Sequence, residues 1–294
     1  MRVCFFRSSK PREGLLADAF IEGVNRRGDD GSIRIITEEM MADCRTDGVK
    51  PDCDVAVMLG VKSIDLWYAY RDAGVATIMV DKGYLRHGSK GPIKMTEFFR
   101  VAVGAHQPTN YIMDMDVPKD RFQHWGQLPQ PWKENGKTIL VAGSSAKYHE
   151  FHNLPEPTEY YTRIIRKLRK NTDREIIYKP KPSWTDATPI EGSTFAFRGG
   201  EAGIEKHLEN AHVLITHGSN ACFDAMMAGV PSIILGEAVA KPLCSTDIDE
   251  VEDPKRVPMR DRRRWLGNLA YCQWTLPEFA TGQAWRTIRP LLFR

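Results

Sequence analysis

Short apolar runs alternate with amphipathic stretches along almost the whole chain, and this alternation restricts the possible folds more than any other feature. Residues 1–6 (MRVCFF) read as a buried strand, and residues 14–27 carry apolar side chains at the spacing of one helical face. The predicted elements of this first series are strands at 1–6, 32–37, 54–60, 76–81 and 98–103 and helices at 14–27 and 64–73. The pattern is typical of βαβ units, and not of a sandwich or a helical bundle.

A second series follows residues 117–135, a stretch rich in proline and tryptophan whose composition predicts a linker. Its predicted elements are strands at 138–142, 175–179, 213–216 and 232–236 and helices at 160–170, 201–210 and 221–228. Two consecutive α/β series predict an α/β protein with two Rossmann-like domains facing a cleft, the first at 1–128 and the second at 129–260. Residues 261–294 predict two further helices, broken near Pro277.

Composition narrows the class of protein. Hydrophobic residues make up 42% of the 294 residues and charged residues 27%, as in an ordinary globular protein. No run approaches the ~18 apolar residues of a membrane helix, and the first ten residues are too short and too charged for a secretory signal, so we expect a cytoplasmic protein. The net charge of +3 does not by itself predict a nucleic-acid partner. The six cysteines form no CxxC pair, which favours free thiols over a zinc ribbon.

Residues 213–236 (VLITHGSNACFDAMMAGVPSIILG) are the most informative run. A strand ends at Thr216, a turn of small polar residues follows, and a helix begins whose free N–H groups would face the turn. Such a turn attracts anions; its members are His217, Gly218, Ser219 and Asn220. The spacing alone is equally compatible with Ser219 and Asn220 only capping the helix. His217 shares no ligand spacing with another histidine or cysteine, so we expect it to be a turn residue that hydrogen-bonds to the backbone and not a metal ligand.

The pattern T-x-G-S-x-x-x-x-D-A-x-x-x-G-x-P in this run resembles the donor-site motif of GT-B glycosyltransferases. The resemblance implies that these residues bind the phosphates of a nucleotide and that Asp224, at the position of the family's usual Glu, binds the ribose. It also implies that residues 261–294 return to pack on the first domain, as the C-terminal helix of such chains does. The chain as a whole carries W-G…P-W…G, K-P-K-P and G-S-N-A segments, and with them it resembles compact bacteriophage-encoded, DNA-modifying members of this family.

Two further runs would lie at the ends of neighbouring strands in the second series. Residues 176–184 (IIYKPKPSW) place Lys179 and Lys181 in an extended, proline-restricted segment, where both ammonium groups would meet phosphate unless they are ordinary solvated lysines. The run resembles the R/K-P-H-P segment of capsule-type Kdo transferases, with Lys181 in place of the histidine. Ser144, in the Gly-Ser turn of residues 141–147, is a third candidate for a phosphate contact.

An inverting glycosyl transfer requires a carboxylate or histidine near the acceptor hydroxyl to accept its proton. The best candidate is Asp81, at the end of a predicted strand, with His87 in a glycine-bracketed loop and His106 behind it; Asp81 could equally be a structural turn residue. No pair of acids with DxD spacing lies at a convincing strand end, and Asp114 and Asp116, which have this spacing, lie among linker-like residues, so we expect a mechanism without a metal and no bound cofactor.

The sequence therefore predicts a metal-independent glycosyltransferase that uses a nucleotide-sugar as its donor substrate. Its first predicted acceptor is a hydroxymethylated base in phage DNA, in the host cytoplasm, and two basic clusters would contact the phosphate backbone. The clusters are Arg163, Arg166, Lys167, Arg169 and Lys170, and Arg260, Arg262, Arg263 and Arg264. The alternatives are a capsule or lipopolysaccharide sugar as acceptor, and a non-catalytic nucleotide or nucleic-acid binding module with a degenerate GT-B fold.

Overall fold

The computed structural model describes residues 1–46, 48–85, 94–196 and 203–293. The chain divides into two compact units, one formed by residues 1–108 and 268–294 and the other by residues 109–267. The division falls earlier than the predicted boundary at residue 128, because the stretch predicted as a linker belongs to the second unit. The indole N–H of Trp125 donates to the Leu266 carbonyl, and that of Trp132 donates to the Val257 carbonyl. These tryptophans therefore contribute to packing within the unit.

In the first unit, the strands form one sheet in the order β11-β5-β4-β3-β1-β2. The strands are β1 (Arg2–Arg7), β2 (Asp30–Ile35), β3 (Val55–Leu59), β4 (Ala76–Lys82), β5 (Phe99–Val103) and β11 (Gln273–Trp274). The helices that connect or cover them are α1 (Pro11–Arg26), α2 (Glu38–Thr46), α3 (Ile64–Asp72), α9 (Leu276–Ala280) and α10 (Gln283–Ile288). β1 to β4 pair in parallel, whereas β5 runs antiparallel to both β4 and β11.

The C-terminal segment completes this unit by packing on α1. The Phe20 ring lies 5.4 Å from the Phe279 ring and 5.9 Å from the Trp285 ring. α1 approaches so closely that a Cβ at Gly23 would lie 1.9 Å from the Phe279 carbonyl oxygen. The two helices predicted for residues 261–294 are replaced by three helices and the strand β11. Pro277 lies in the first turn of α9. Backbone N–H groups in the first turn of a helix have no carbonyl partner within the helix, so a proline there costs no hydrogen bond. Pro277 therefore lies at the start of a helix and does not break one.

The second unit contains a parallel sheet in the order β10-β9-β6-β7-β8. Its strands are β6 (Thr138–Ala142), β7 (Glu175–Lys179), β8 (Thr194–Phe195), β9 (Ala211–Thr216) and β10 (Ser232–Ile234). Its helices are α4 (Ala146–Phe151), α5 (Pro157–Leu168), α6 (Ile204–Glu209), α7 (Ala221–Met227) and α8 (Met259–Leu269). The buried face of α5 packs on β6, β7 and β9 in one apolar cluster. Among the described residues, no helix is long and apolar enough to cross a membrane.

Candidate functional site

The carboxyl edge of the second unit's sheet brings together the predicted donor-site residues. All its strands are parallel, so the segments after β6, β7 and β9 leave the sheet at the same edge. From β6 the chain moves to β7 on one side, and it later returns to β9 on the other side. This reversal creates a topological switch point between β6 and β9, where ligands of open α/β sheets bind. The loops of residues 143–145 and 217–220 flank it.

The loop after β9 is held by its own hydroxyl groups. Thr216 Oγ1 donates to the Ala142 carbonyl at 2.9 Å and accepts the Ser219 N–H at 3.1 Å, which joins the ends of β6 and β9. Ser219 Oγ accepts the Ala221 N–H at 3.2 Å, at the start of α7. Ser219 thus caps this helix, and its hydroxyl proton is still available to a ligand because a hydroxyl both donates and accepts.

His217 is a buried, neutral member of this loop. Its Nδ1 lies 2.7 Å from the Tyr160 hydroxyl of α5. Burial lowers the pKa of His217 to about 4, with a further contribution from His152, and burial raises the pKa of Tyr160 to about 12. At neutral pH this hydrogen bond therefore joins a neutral phenol and a neutral imidazole. The side-chain hydrogen bond of His217 goes to the Tyr160 side chain of α5 and not, as predicted, to the backbone. Among the described residues, no three His, Cys, Asp or Glu side chains are grouped to hold a metal ion.

Gly218 is constrained by its neighbours in the protein. A Cβ at this position would lie 1.8 Å from the Tyr148 hydroxyl oxygen and 2.4 Å from the Glu237 carbonyl oxygen. Both distances are far below van der Waals contact. The backbone carbonyl of Glu237, with Tyr148 of α4 beside it, is therefore sufficient to require glycine at this position, whether or not a phosphate approaches it.

The remaining donor-site candidates have distinct surroundings. The Ser144 hydroxyl is buried and lies 3.0 Å from the Tyr161 hydroxyl. Lys179 ends β7 half-buried, and its charge adds to burial in lowering the pKa of His207 on α6. Lys181 is exposed and begins a turn in which its carbonyl accepts the Trp184 N–H at 2.9 Å, so the segment is not extended throughout.

Asn220 and Asp224 lie at the start of α7 and one turn further along. Asn220 is the residue before the first residue of the helix, and both side chains are half-buried. Their separation of four residues places them on the same side of the helix. Asp224 therefore lies on the same side of α7 as Asn220, the last residue of the loop of residues 217–220.

The predicted base belongs to the first unit, where it is ion-paired. Asp81 Oδ2 accepts a hydrogen bond from Arg100 Nη2 at 2.9 Å, and the same nitrogen lies 2.8 Å from His106 Nε2. The three residues therefore form one cluster on β4, β5 and the segment after β5. His87, the second predicted catalytic residue, lies outside the described residues.

Sequence reasoning missed four side chains that surround these candidates: Tyr148, Tyr160, His152 and Arg100. The rings of Tyr148 and His152 lie 4.3 Å apart, and the His152 ring is 5.8 Å from that of His217. Burial lowers the pKa of His152 to about 4, so it too is neutral. The signal that could have identified Arg100 was present, because it is a lone charged residue within the apolar run FFRVAV.

Two solved structures are similar to this chain over nearly its full length. The KpsC β-Kdo 2,7 transferase of Thermosulfurimonas dismutans aligns with a TM-score of 0.53 and 12% sequence identity, covering 94% of this chain and 92% of that chain. The KpsC β-Kdo 2,4 transferase of the same organism aligns with a TM-score of 0.52 and 15% identity over the same shares. No protein-family model and no curated protein matches the chain.

At these identities the likeness establishes the fold. The predicted fold class, an α/β protein of GT-B architecture with two Rossmann-like units, is confirmed. The fold is one that sugar-transferring enzymes use, although a fold does not fix a reaction. Within this fold, the carboxyl edge of the second unit offers hydroxyl groups, backbone N–H groups and two lysines. Such groups bind an anionic, hydroxyl-rich ligand.

Proposed function

We propose that this protein is a glycosyltransferase that binds a nucleotide-sugar donor at the carboxyl edge of its second unit. The observation that carries the proposal is the position of the GT-B-like donor motif. Its loop, residues 217–220, flanks the switch point between β6 and β9, in a fold shared with two sugar transferases. The family's donor motif and the site that topology favours for a ligand thus coincide.

Each candidate residue has a chemical task in this proposal. The donor phosphates accept hydrogen bonds from the loop of Gly218, Ser219 and Asn220 and from Ser144, and Lys179 and Lys181 offset their charge. His217 positions this loop through Tyr160, and Asp224 accepts hydrogen bonds from ribose hydroxyls. In the first unit, Asp81 accepts the proton of the acceptor hydroxyl, and no metal is required. His87 is retained as a candidate for proton transfer.

A binding experiment tests the donor site directly. The protein is screened by thermal shift against UDP, GDP, CMP, ADP and their common sugar conjugates, since a ligand at 100 times its Kd adds about 2.7 kcal/mol of stability. Calorimetry with the best nucleotide then compares Lys179→Ala and Ser219→Ala with the control Lys170→Ala, an exposed lysine just past the end of α5. We expect about tenfold weaker binding for the first two variants, in line with the loss of a hydrogen bond to a charged group.

The outcomes separate the competing functions. If Lys179→Ala and Ser219→Ala both bind as the wild type does, the phosphate assignment is wrong. If no nucleotide stabilises the protein, the donor site is absent and the protein is no nucleotide-sugar enzyme. Hydrolysis of a bound nucleotide-sugar without acceptor would exclude the alternative of a non-catalytic binding module.

The acceptor we propose first is a hydroxymethylated base in phage DNA. Exposed cations of the two basic clusters support it, since Arg166 and Lys170 on one and Arg263 and Arg264 on the other face solvent. Other members of the clusters are engaged within the protein: Arg163 pairs with Glu159, Lys167 pairs with Asp247 and Asp249, and Arg262 is buried. Cations that are paired or buried within the protein are not available to a DNA backbone. Their engagement favours the second candidate acceptor, a capsule or lipopolysaccharide sugar.

Salt dependence distinguishes the two acceptors. Binding to DNA weakens by about 0.9 in log K per log unit of salt for each phosphate contacted. We therefore expect a steep slope with a hydroxymethylated duplex, reduced in Arg263→Ala. A base that is glycosylated must also leave the helical stack, so an unperturbed helix in a complex would contradict the DNA acceptor. Salt-independent or absent DNA binding would leave the saccharide as the acceptor.

A further inference from the structure

A row of polar side chains crosses the sheet of the first unit. Asp81 on β4 lies directly opposite Arg100 on β5, and Arg100 lies directly opposite Gln273 on β11. Residues opposite each other on adjacent strands project from the same face of a sheet. Arg100 is 2% exposed and Gln273 is fully buried, whereas the Asp81 side chain is 37% exposed. The row therefore runs from the core to the surface and ends at a carboxylate that solvent reaches.

One nitrogen of Arg100 serves two acceptors. Its Nη2 lies 2.9 Å from Asp81 Oδ2 and 2.8 Å from His106 Nε2. A guanidinium only donates, so Nε2 of His106 accepts and carries no proton, and the imidazole is the neutral Nδ1–H tautomer. The other carboxylate oxygen, Asp81 Oδ1, accepts the Lys82 N–H at 2.8 Å. Both oxygens of Asp81 are thus held by donors within the protein, which fixes the plane of the carboxylate.

The rest of the network fixes Arg100 and the chain that leaves β4. The Arg100 guanidinium lies 5.9 Å from the centre of the Tyr84 ring, and the Tyr84 hydroxyl donates to Gln107 Oε1 at 2.6 Å. Gln273 Oε1 accepts the backbone N–H of Tyr84 at 2.9 Å. Burying a guanidinium costs several kcal/mol unless its partners compensate, and apolar residues are often at least as stabilising at such positions. The buried charge of Arg100 is therefore explained better by a role at Asp81, the solvent-accessible end of the row, than by stability alone.

We propose that Arg100 is a positioning residue that holds the Asp81 carboxylate in the orientation in which it accepts a proton during glycosyl transfer. The inference rests on the proposed function. In that reaction the acceptor hydroxyl gives its proton to an Asp81 oxygen, and the hydroxyl oxygen forms a bond to the anomeric carbon of the donor. The bond from that carbon to the phosphate oxygen breaks, and its electron pair stays on the nucleotide phosphate. Arg100 and His106 exchange no proton in this step.

Kinetics of matched variants test the role of Arg100. Arg100→Met removes the donor, Arg100→Lys keeps the charge without the guanidinium fork, and Arg34→Met is the control, because it removes the Asp52 ion pair from β2 of the same sheet. With a nucleotide-sugar identified by the screen, we expect Arg100→Met to lower kcat about tenfold or more, since general-base catalysis contributes about 10²- to 10⁴-fold. KM for the donor should change less than about twofold, and Arg100→Lys should recover part of kcat. The proposal is overturned if Arg100→Met resembles Arg34→Met, or if KM rises and kcat is unchanged.

A spectroscopic measurement on the wild type keeps the test independent of turnover and of the folding of the variants. Imidazole ¹⁵N shifts of His106 at neutral pH should show Nδ1 protonated and Nε2 bare. A protonated Nε2 would show that Arg100 does not donate to it and would overturn the proposal. If no nucleotide-sugar is turned over while His106 has the expected tautomer, it is the proposed function that fails, and the arrangement of Arg100 stands without it.

Discussion

The hydroxyl of Tyr160 lies 2.7 Å from Nδ1 of His217, and this contact ties α5 to the loop that follows β9. Loss of the hydroxyl in Tyr160→Phe leaves a buried imidazole nitrogen without its partner, which costs about 1–3 kcal/mol. We expect the urea midpoint of unfolding to fall accordingly. Replacing both partners, in Tyr160→Phe with His217→Leu, should cost less than the sum of the single changes, because no polar atom is then stranded. Additive losses would show that the two side chains do not interact.

Neutral histidines make stability depend on pH. The pKa of His217 and that of His152 are each lowered by burial to about 4, from an ordinary value of 6.5. Between pH 4 and 6.5 the unfolded chain binds protons that the folded chain does not, so the free energy of unfolding falls as the pH falls through this window. This contribution to stability is fully present above pH 6.5.

Urea denaturation at pH 7.5, 6.0 and 5.0 measures this dependence. We expect the midpoint to decrease at each step, and the decrease to be smaller in His217→Gln, which removes one of the histidines whose pKa is lowered by burial. The matched control is His124→Gln, because His124 is exposed. An equal pH dependence in the wild type and in His217→Gln would contradict a neutral, buried His217.

Gly218→Ala should strongly destabilise the second unit. The new methyl group would lie 1.8 Å from the Tyr148 hydroxyl and 2.4 Å from the Glu237 carbonyl oxygen. Overpacking of this kind costs about 1–3 kcal/mol or more. Adding Tyr148→Phe removes the hydroxyl and should restore part of the loss, whereas the clash with the backbone carbonyl remains.

The control for this substitution is Gly267→Ala in α8. The nearest atom to its new methyl group would be a ring carbon of Phe122 at 3.9 Å, which is ordinary contact. Alanine exceeds glycine in helix propensity by about 1 kcal/mol, so this variant should be neutral or more stable. Thermal unfolding of the three variants checks the prediction, and a Gly218→Ala protein as stable as the wild type would show that Tyr148 is not packed against the loop.

β6 and β7 could be predicted from the sequence with their observed bounds. β6 is an apolar run buried along its whole length, whereas β7 places Ile176 and Tyr178 in the core between exposed or half-buried residues. β11 could not be predicted, since two residues carry no periodicity and the strand exists only by pairing with β5, far away in the chain. α2 was missed for a different reason: no residue of this helix is buried, so it has no apolar face to detect.

The candidate site could be predicted in its position but not in its supporting contacts. The donor motif marks a strand, a turn and a helix, and the fold brings that turn to the sheet edge beside residues 143–145. The sequence does not show that Tyr148 fills the space over Gly218, or that Arg100 lies opposite Asp81. Such contacts depend on strand register and helix packing, which join residues far apart in the chain.

Arg262 is the one member of the basic clusters for which we predict a large effect on stability. It is fully buried, donates to the carbonyls of Gln130 and Met226, and lies 3.9 Å from the centre of the Trp132 ring. Burial lowers its pKa to about 10, so it is charged at neutral pH. Arg262→Ala leaves two carbonyl groups without their donor and the Trp132 ring without its cation. We expect the free energy of unfolding to fall by about 3–5 kcal/mol. Arg263→Ala, at an exposed position on the same helix, should change stability by less than about 0.5 kcal/mol. Equal effects of the two variants in chemical denaturation would show that Arg262 is solvated. Arg262 would then count among the exposed cations that could contact the phosphate backbone of a DNA acceptor.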